Sequence, residues 1–541
     1  MSWRAFLLSL GITTLLIAAL WMSIPPTYLT SDDVAIRSSI DGTFVPVEPP
    51  TGFTLMTHAA LGWALVSSQA LWPGLHGWDT VLVVTLVIAI AMVKAIAWTT
   101  GGALRVLVLS IALVPLLIGM QFTISSTLAG GAAVLVGSAE RRRSTLILAA
   151  VVLAVGLLIR PYGAAAGAFL VAVLILAVRP SEWRRTTAIL AVTTAAFVVA
   201  LLTDAAIYQR DPEWAAARRY NIVAAEIFEW TRTMPREAVD AAHRAVGWSN
   251  TDRSTIAGGW GWDPEVFGLR RLTAVHALSS ESAGLVGRVS PAFRHLANVD
   301  LRSLPDRFPV PWQAALAVLM VVALGSPLRT SLLRWGAVSV IFVVYGLVVE
   351  AFFKELPFRL FAPLLALAIA VGVAAPGDRL HPWIRTCAMI VSLALLVVVS
   401  RNTILTLRAD AADAEQTDIE TTALAAWHPS VIVAHADSFP SAFWWRPFHR
   451  PEIPLPIIGI SHRPDTHRYL RTTGRERFLQ SLCTHPRTLI ITEPDRLEIV
   501  SAYLSEHEGW VVEWERVITT TEDDPRFDVY RCALRSSHTG N

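Results

Sequence analysis

The sequence predicts a polytopic α-helical membrane protein with a small α/β domain at its C-terminal end. Only 16% of the 541 residues are charged and 53% are hydrophobic, whereas soluble domains contain about 25% charged residues. Apolar runs that approach the ~20 residues of a membrane-spanning helix recur throughout residues 1–405. Beyond them, short strand-like and helix-like patterns follow one another to the C-terminus.

Eleven apolar segments predict eleven transmembrane helices. They lie near residues 4–24, 81–98, 103–120, 123–138, 144–159, 163–178, 187–206, 312–327, 336–353, 360–376 and 383–405. The first is interpreted as a span and not as a secretory signal, because its apolar core is long and no small-residue cleavage site follows it. Residues 54–72, which contain His58, are interpreted as a helix packed near the outer surface. Counting them as a span would invert the basic loops that follow.

Basic residues in short loops orient the predicted helices. Arginine-rich loops at residues 141–143, 179–185, 329–334 and 379–385 all fall on one side of the eleven-helix arrangement, which we take as cytoplasmic. The N-terminus is then cytoplasmic as well. The outer face carries residues 25–80, 207–311 and 354–359 together with the C-terminal tail. Residues 1–405 are predicted to form the transmembrane domain with its outer loops, and residues 406–541 the extracytoplasmic domain.

The C-terminal segment is long enough to form an α/β domain with its own core. Strand patterns occur in SVIVAH, LPIIGIS, TLIIT, GWVVEWERV and FDVYRCAL, and helix patterns in HRYLRTTGRERFLQSL and DRLEIVSAYLSEH. Cys483 and Cys532 lie in this segment, where an oxidising compartment would let them form a disulfide. Two unpaired thiols are the alternative. The histidines of the segment lack a metal-ligand spacing, so no metal site is predicted there.

The charge balance and the absent motifs exclude several classes of protein. Net charge is +2, from 45 basic and 43 acidic residues, whereas a nucleic-acid-binding protein needs a basic face that displaces counterions. The sequence contains no P-loop, dinucleotide-binding, HExxH or GxSxG motif. Nucleic acid is therefore excluded as a partner, and the lipid bilayer is the partner that the composition requires.

Two adjacent carboxylates, Asp32 and Asp33, follow the first predicted span in SDDVAIRSSI, close to the outer membrane surface. An Asp after a Ser ahead of a helical pattern is typical of a helix N-cap, which explains one Asp but not both. The functional interpretation is a general base that takes a proton from a sugar hydroxyl, so that its oxygen attacks an anomeric carbon. One carboxylate suffices with a glycosyl phosphate donor, because phosphate leaves without a strong acid. Most glycoside hydrolases, in contrast, need a pair.

A phosphate donor also needs cations on the same face of the membrane. The candidates are Arg37, Arg160, Lys354 and Arg359. Arg binds phosphate through paired donors, and Lys binds it as a point charge. Arg160 and Arg359 are favoured, since each adjoins a Pro-containing outer turn, where the positive-inside bias normally removes Arg. The alternative for each cation is an interfacial side chain that snorkels to the membrane surface.

The outer loop 207–311 contains an aromatic segment, GWSNTDRSTIAGGWGWDPEVF, with Trp248, Trp260 and Trp262. Long irregular loops between compact spans are usually lids or disordered linkers, and three tryptophans argue against disorder. These side chains are predicted to line a sugar or lipid site. An interfacial aromatic belt is the alternative.

The arrangement resembles the GT-C superfamily of integral membrane glycosyltransferases, which use polyprenyl-phosphate sugars. The shared features are a first span, an outer Asp-Asp pair, an amphipathic outer helix, many further spans and a soluble outer tail. The stretch from Ser31 to Gly42, the helix with His58 and the turn around Trp78 also resemble the bacterial GtrII-like branch, and so does GWSNTD with Asp252. Actinobacterial arabinofuranosyltransferases are similar in span number and outer tail.

The resemblance implies an inverting transfer, with Asp32 or Asp33 as the base and basic side chains on the lipid phosphate. His58, Asp252 and the three tryptophans are the expected substrate contacts. No cofactor is required by this chemistry, although a divalent cation (Mg, Mn or Ca) binds the Asp pair in some relatives.

The predicted function is transfer of a hexose or pentose from a polyprenyl-phosphate donor to a cell-envelope glycan or glycolipid, at the outer face of a bacterial plasma membrane. One alternative is a transporter or flippase of a lipid-linked glycan. Internal repeats and mid-membrane charges are typical of that class, and the sequence has no repeat. The other alternative is a scaffold whose tail binds an envelope component.

Overall fold

The computed structural model describes residues 1–43, 49–117, 119–229, 236–281, 340, 358–374, 382–425, 431–435, 446–449, 457–458, 462–485, 487–517 and 527–535. Lys354 and the spans predicted near residues 312–327 and 336–353 lie outside these ranges, apart from residue 340. The other predicted spans fall on helices for most of their length, and the span predicted near 103–120 ends in a short 3-10 helix at residues 114–117 and a strand at residues 119–120. The predicted helical fold class is therefore confirmed.

Helices make up most of the described chain. The first eight are α1 (Trp3–Ser23), α2 (Ser31–Asp41), α3 (Ala59–Leu71), α4 (Gly77–Leu113), α5 (Phe122–Ala139), α6 (Arg143–Ile159), α7 (Pro161–Val178) and α8 (Trp183–Tyr208). The segment after them contains α9 (Pro212–Ala224), α10 (Arg236–Ala245), α11 (Asn250–Ala257) and α12 (Pro264–Phe267), and residues 269–281 are also helical. Two further helices, α13 (Phe358–Ala374) and α14 (Pro382–Ala425), precede the C-terminal strands.

Four of the described helices are long and apolar enough, by length and composition, to cross a membrane. They are α1 over Trp3–Met22, α4 over Gly77–Thr99, α5, and α8. α5 is buried along nearly its whole length, whereas Leu15 of α1 and Val192 and Leu202 of α8 are largely exposed. Exposed apolar faces of this kind suit contact with lipid and not with water.

Residues 77–113 form one helix with a break where two spans are predicted to meet. The spans near 81–98 and 103–120 adjoin at Gly102, which has φ 70° and ψ −160° inside α4. Glycine adopts this conformation freely, and residues with a Cβ avoid it. Residues 54–72 contain α3, which has 13 residues. A helix of that length is too short to cross a bilayer, which agrees with the interpretation that residues 54–72 are not a membrane span.

The C-terminal part forms a five-stranded mixed sheet in the order β4-β3-β5-β7-β6. The strands are β3 (Val431–His435), β4 (Ile457–Ile458), β5 (Thr488–Ile491), β6 (Val512–Val517) and β7 (Val529–Leu534). β3 pairs in parallel with β4 and β5, and β7 pairs antiparallel with β5 and β6. Helices α15 (Pro464–Thr472), α16 (Phe478–Thr484) and α17 (Pro494–Glu508) lie between strands in the chain. The predicted α/β composition of this part is therefore confirmed.

A disulfide fastens α16 to β7. It joins Cys483 to Cys532, whose Cα atoms are 4.8 Å apart. β5 and β7 are neighbouring strands, as the TLIIT and FDVYRCAL segments predict. The pairing expected from the sequence is thus present.

One hydrophobic core joins the C-terminal sheet to helices α9–α12 and the helix at residues 269–281. These helices lie in the loop that the sequence predicts to be on the outer face, and they are called the outer segment below. The core includes Trp260 and Trp262 from the outer segment and Val433 and Tyr503 from the C-terminal part. α14 runs without interruption through residue 405, where the sequence predicts the domain boundary. The division at 405/406 stays a prediction, and the outer segment folds together with the C-terminal part.

Candidate active site

A short pair of strands places α2 beside α5. β1 (Thr27–Tyr28) is parallel to β2 (Gly119–Met120), and the Leu29 N–H donates to the Met120 carbonyl at 3.2 Å. β1 leads into α2 and β2 leads into α5. The N-termini of these two helices therefore lie side by side.

Asp33 is fully buried at the junction of α2 and α5. Its Oδ1 accepts a hydrogen bond from the Phe122 N–H at 3.1 Å, and its Oδ2 accepts one from the Thr30 hydroxyl at 2.9 Å. Burial raises the pKa of this carboxyl well above its usual range, although the two hydrogen bonds act in the opposite direction. A substrate in solvent or lipid has no access to a carboxyl placed in this way.

Asp32 is the accessible member of the pair. Its Oδ2 lies 3.1 Å from Nη1 of Arg359, the second residue of α13. The side chains of Asp32 and Arg359 are 28% and 34% exposed. The N-cap of α2 is Thr30, and its side chain makes no capping hydrogen bond. The N-capping alternative for an Asp of this pair is therefore wrong.

Arg160 lies next to the same junction, between α6 and α7. Its Nη1 donates to the Thr123 hydroxyl at 2.9 Å, and its guanidinium lies 4.6 Å from the centroid of the Phe122 ring. The same Phe122 binds Asp33 through its backbone N–H. The structure thus brings four of the predicted residues into one region: Asp32, Asp33, Arg160 and Arg359. The accessible Asp32 carboxylate is able to accept a proton, and the guanidinium groups of Arg359 and Arg160 in the same region are able to hold an anion.

Arg37 lies one helical turn beyond Asp33 and is only 1% exposed. Its donors contact carboxylates of α2 and α4, the ring of His76 and the carbonyl of Arg446. The prediction that Arg37 binds the donor phosphate does not fit this environment. The side chain instead holds several parts of the protein together.

His58 and Asp252 both have structural contacts. His58 is the N-cap of α3, accepts from the Ala60 N–H at 3.1 Å, and contacts the Thr203 hydroxyl of α8 at 3.1 Å. Asp252 forms a capping box with Ser249 at the start of α11. Both side chains are buried, so their predicted contacts with substrate do not fit the structure.

The three tryptophans are also placed differently from the prediction. Trp248, Trp260 and Trp262 are 3%, 0% and 1% exposed and belong to the core shared with the C-terminal sheet. Trp262 stacks on His462 with ring centroids 4.7 Å apart, and Trp260 contacts His435 at the same distance. Neither a sugar-lining role nor an interfacial belt fits, because both need exposed rings. Three indoles near one another on a polar loop signal a core as readily as a binding site.

The Asp pair is a poor setting for a divalent cation. Asp33 already accepts two hydrogen bonds, and Asp32 faces the positive charge of Arg359, which repels a cation. Among the described residues, one group of three potential ligands has donor atoms within 4.8 Å of one another, formed by Asp252, Glu506 and His507. This group joins α11 to α17, where His507 Nε2 lies 2.8 Å from Asp252 Oδ1.

Sequence reasoning missed the residues that hold the site in place. Phe122 and Thr123 anchor Asp33 and Arg160 from the N-terminus of α5. Asp79 accepts from Tyr28 and contacts Arg37. The available signal for Asp79 was an acidic residue in the first turn of an apolar helix. The signal for Phe122 was weaker, since its backbone N–H and ring make the contacts.

Two solved structures match nearly the whole chain, and both are ArnT from Cupriavidus metallidurans. The apo structure has 14% sequence identity and a TM-score of 0.39, over 97% of this chain and 98% of that one. The structure bound to undecaprenyl phosphate has 15% identity and a TM-score of 0.41, over 96% and 97%. No protein-family model and no curated protein matches the sequence. Because both TM-scores lie below 0.5, the function proposed next rests on the contacts of this chain's own residues.

Proposed function

We propose that the protein is a GT-C-type inverting glycosyltransferase. It moves a sugar from a polyprenyl-phosphate donor to a glycan or glycolipid acceptor at the outer face of a bacterial plasma membrane. The observation that carries this proposal is the accessible Asp32–Arg359 pair, which lies beside a buried second Asp and a second guanidinium at Arg160. The helix α5, whose N-terminus carries Phe122 and Thr123, is long and apolar enough to cross a membrane, which suits a donor with a long isoprenoid chain.

Asp32 is assigned as the general base. Its carboxylate takes the proton of an acceptor hydroxyl while that oxygen bonds to the anomeric carbon of the donor sugar from the face opposite the phosphate. The bond between the anomeric carbon and the phosphate oxygen breaks, and its electron pair leaves with the polyprenyl phosphate. The configuration at the anomeric carbon is inverted in this single displacement.

Arg359 and Arg160 are assigned to the donor phosphate. Guanidinium groups bind phosphate oxygens through two parallel N–H donors. Arg359 is 34% exposed and is therefore able to turn from Asp32 to the phosphate when the donor arrives. That exchange would place the leaving group close to the base and free the Asp32 carboxylate for the acceptor hydroxyl.

Asp33 is assigned a positioning role. Its bond to Phe122 ties the first turn of α2 to the first turn of α5, and α2 carries Asp32 as the preceding residue. This hydrogen bond keeps the Asp32 carboxylate in position. A displacement of about 1 Å can cost roughly 100-fold in rate.

The experiment compares Asp32→Asn with Asp33→Asn in purified protein in lipid nanodiscs, with a panel of polyprenyl-phosphate hexoses and pentoses as donors. Asp32→Asn should lower transfer by roughly 100- to 10,000-fold, the usual contribution of a general base. Asp33→Asn should cost less, because the amide oxygen still accepts one of the two hydrogen bonds.

Full transfer by Asp32→Asn would overturn the assignment of the base. Donor movement across vesicle bilayers by the wild-type protein, without any transfer product, would favour the transporter alternative. Glycan binding by the full-length protein that is unchanged in both Asp variants, without any transfer product, would favour the scaffold alternative.

A further inference from the structure

A buried charge cluster lies one helical turn beyond the Asp pair on α2. At its centre is Arg37, whose Nη1 lies 3.2 Å from Oδ2 of Asp79 and whose Nε lies 3.4 Å from Oδ2 of Asp41. The Nη2 atom of Arg37 contacts Nδ1 of His76 at 2.9 Å, and Nη1 contacts the Tyr28 hydroxyl at 3.4 Å. Tyr28 also donates to Asp79. The cluster therefore joins β1, α2 and the start of α4.

The C-terminal part reaches into this cluster through residues 446–449. The Arg446 carbonyl accepts from Arg37 Nη1 at 2.7 Å, and the Phe448 N–H donates to Asp79 Oδ2 at 2.8 Å. The Phe448 ring contacts His76 edge-on, with centroids 6.0 Å apart. The side chain of Arg446 in turn pairs with Asp418 on α14. Both central charges of the cluster thus bind backbone groups of a segment more than 300 residues away in sequence.

The backbone of this segment is held in an unfavourable conformation. Phe448 has φ 62°, a left-handed value that a bulky aromatic residue rarely adopts. Such a conformation persists where surrounding contacts determine it, and it is frequent at functional sites. In this conformation the Phe448 N–H points to Asp79. The strained residue thus provides a contact with the cluster.

The cluster and the Asp pair share the same supports. Arg37 lies four residues after Asp33, on the same side of α2. Tyr28 takes part in the cluster and also in the β1–β2 pair that leads to Phe122, the partner of Asp33. A shift of residues 446–449 would therefore act on α2 through Arg37 and on β1 through Tyr28.

We propose that residues 446–449 of the C-terminal part form a positioning element that sets the orientation of α2, and with it the Asp pair, through Arg37 and Asp79. This inference deepens the proposed function and rests on it for the consequence for catalysis. The inference that residues 446–449 set the orientation of α2 does not depend on the proposed function. The C-terminal part then acts as a support of the active site, and a change there alters the rate of transfer and not the affinity for the donor.

The test uses hydrogen–deuterium exchange of the purified full-length protein, which needs no substrate. Arg446→Ala removes the bond to Asp418 that anchors the segment, and Arg37→Lys keeps the charge but loses most of the donors. We expect exchange of the α2 amides to rise about tenfold in Arg446→Ala, because local opening becomes easier. Transfer from the donor panel should show kcat lowered about tenfold with KM for the donor changed less than about twofold.

The matched control is Asn221→Ala. Asn221 on α9 makes two hydrogen bonds with the backbone of His462, at 3.1 Å each. The Ala variant therefore removes a contact of the C-terminal part that does not involve α2. Its α2 exchange should equal that of the wild type. If the α2 amides of Arg446→Ala exchange at the same rate as those of the wild type, the proposal is wrong, whether or not Arg37→Lys folds. If α2 exchange rises in Arg446→Ala as expected but the wild type shows no transfer, the result counts against the proposed function alone.

Discussion

At the residue scale, two identical neighbours on α2 have opposite environments. Successive residues of a helix point about 100° apart, so Asp33 faces α5 and Asp32 faces α13. Asp33 is buried with both oxygens engaged, and Asp32 is accessible beside a guanidinium. Chemical identity does not separate them. Their assignment as base and positioning residue depends on direction around the helix axis.

The two guanidinium groups should control the affinity for the donor. Arg359→Gln and Arg160→Gln each remove a charge-assisted contact worth about 1.5–3 kcal/mol, which corresponds to a roughly 10- to 100-fold higher KM for the donor. The measurement is initial transfer rate against donor concentration in nanodiscs.

Arg401→Gln is the control for these variants, because Arg401 is an exposed Arg on α14. It should leave KM unchanged. An unchanged KM in both Arg359→Gln and Arg160→Gln would contradict their assignment to the phosphate.

At the element scale, α5 is the helix around which the others pack. It is buried along nearly its entire length and carries Phe122 and Thr123 at its N-terminus. Glycines allow α7 to approach it closely. A Cβ atom on Gly167 would lie 2.1 Å from the Thr127 carbonyl oxygen, and one on Gly130 would lie 2.0 Å from that of Ala164. The positions of the residues that anchor the site therefore depend on this contact between two helices.

Gly167→Ala should destabilise the protein by about 1–3 kcal/mol, the usual cost of overpacking a tight interface. It should also lower transfer, since α5 must shift. Thermal unfolding in detergent micelles measures the first effect.

Gly11→Ala provides the comparison within the same fold. Gly11 lies in α1, and a Cβ atom there would meet nothing within 4 Å. That variant should unfold at or slightly above the wild-type temperature, because Ala favours a helix more than Gly does. If the two variants unfold at the same temperature, the close α5–α7 contact does not determine the stability of the protein.

At the scale of the whole molecule, a histidine pair joins the outer segment to the C-terminal part. His462 stacks between Tyr220 and Trp262, with centroid distances of 3.9 and 4.7 Å, and its Nδ1 lies 3.3 Å from Nε2 of His467. Burial lowers the pKa of His462 well below its usual range and lowers that of His467 to about 4. Both rings are therefore neutral in the folded protein near pH 7.

These two histidines should make the protein less stable as the medium becomes acidic. Below pH ~6.5 the unfolded chain protonates these histidines, whereas the folded protein resists protonation until about pH 4 for His467. At these two histidines the unfolded state thus binds more protons in this window. Their contribution to the free energy of unfolding therefore decreases as pH falls, by on the order of 3 kcal/mol for His467. Unfolding temperatures measured between pH 4 and 7.5 provide the check.

His467→Gln should flatten that pH profile relative to the wild type. The control is His485→Gln, at a half-buried histidine outside this pair that contacts the Gly474 carbonyl, and it should keep the wild-type slope. Identical slopes for the wild type and His467→Gln would exclude this histidine as a source of the pH dependence.

Hydropathy, charge and local pattern were enough to predict the elements. The apolar runs locate helices such as α5 and α8, because a chain in lipid must satisfy its backbone within each helix. Alternating patterns located most of the C-terminal strands and the approach of Cys483 to Cys532. The Asp pair, Arg160 and Arg359 were recognisable as charged residues at the predicted outer ends of apolar segments, where contact with lipid does not explain a charge.

The tertiary structure alone decided which of those residues meet and which are buried. Asp32 meets Arg359 across 327 residues, and Arg37 meets Arg446 across 409. Arg37 and Trp260 look like ligand contacts in the sequence and are core residues in the fold. A local pattern predicts which face of a helix or strand is apolar. Burial and contact partners depend on which other elements cover that face. By itself, the sequence therefore determined where the helices, strands and candidate charges lie, and only long-range packing determined the site.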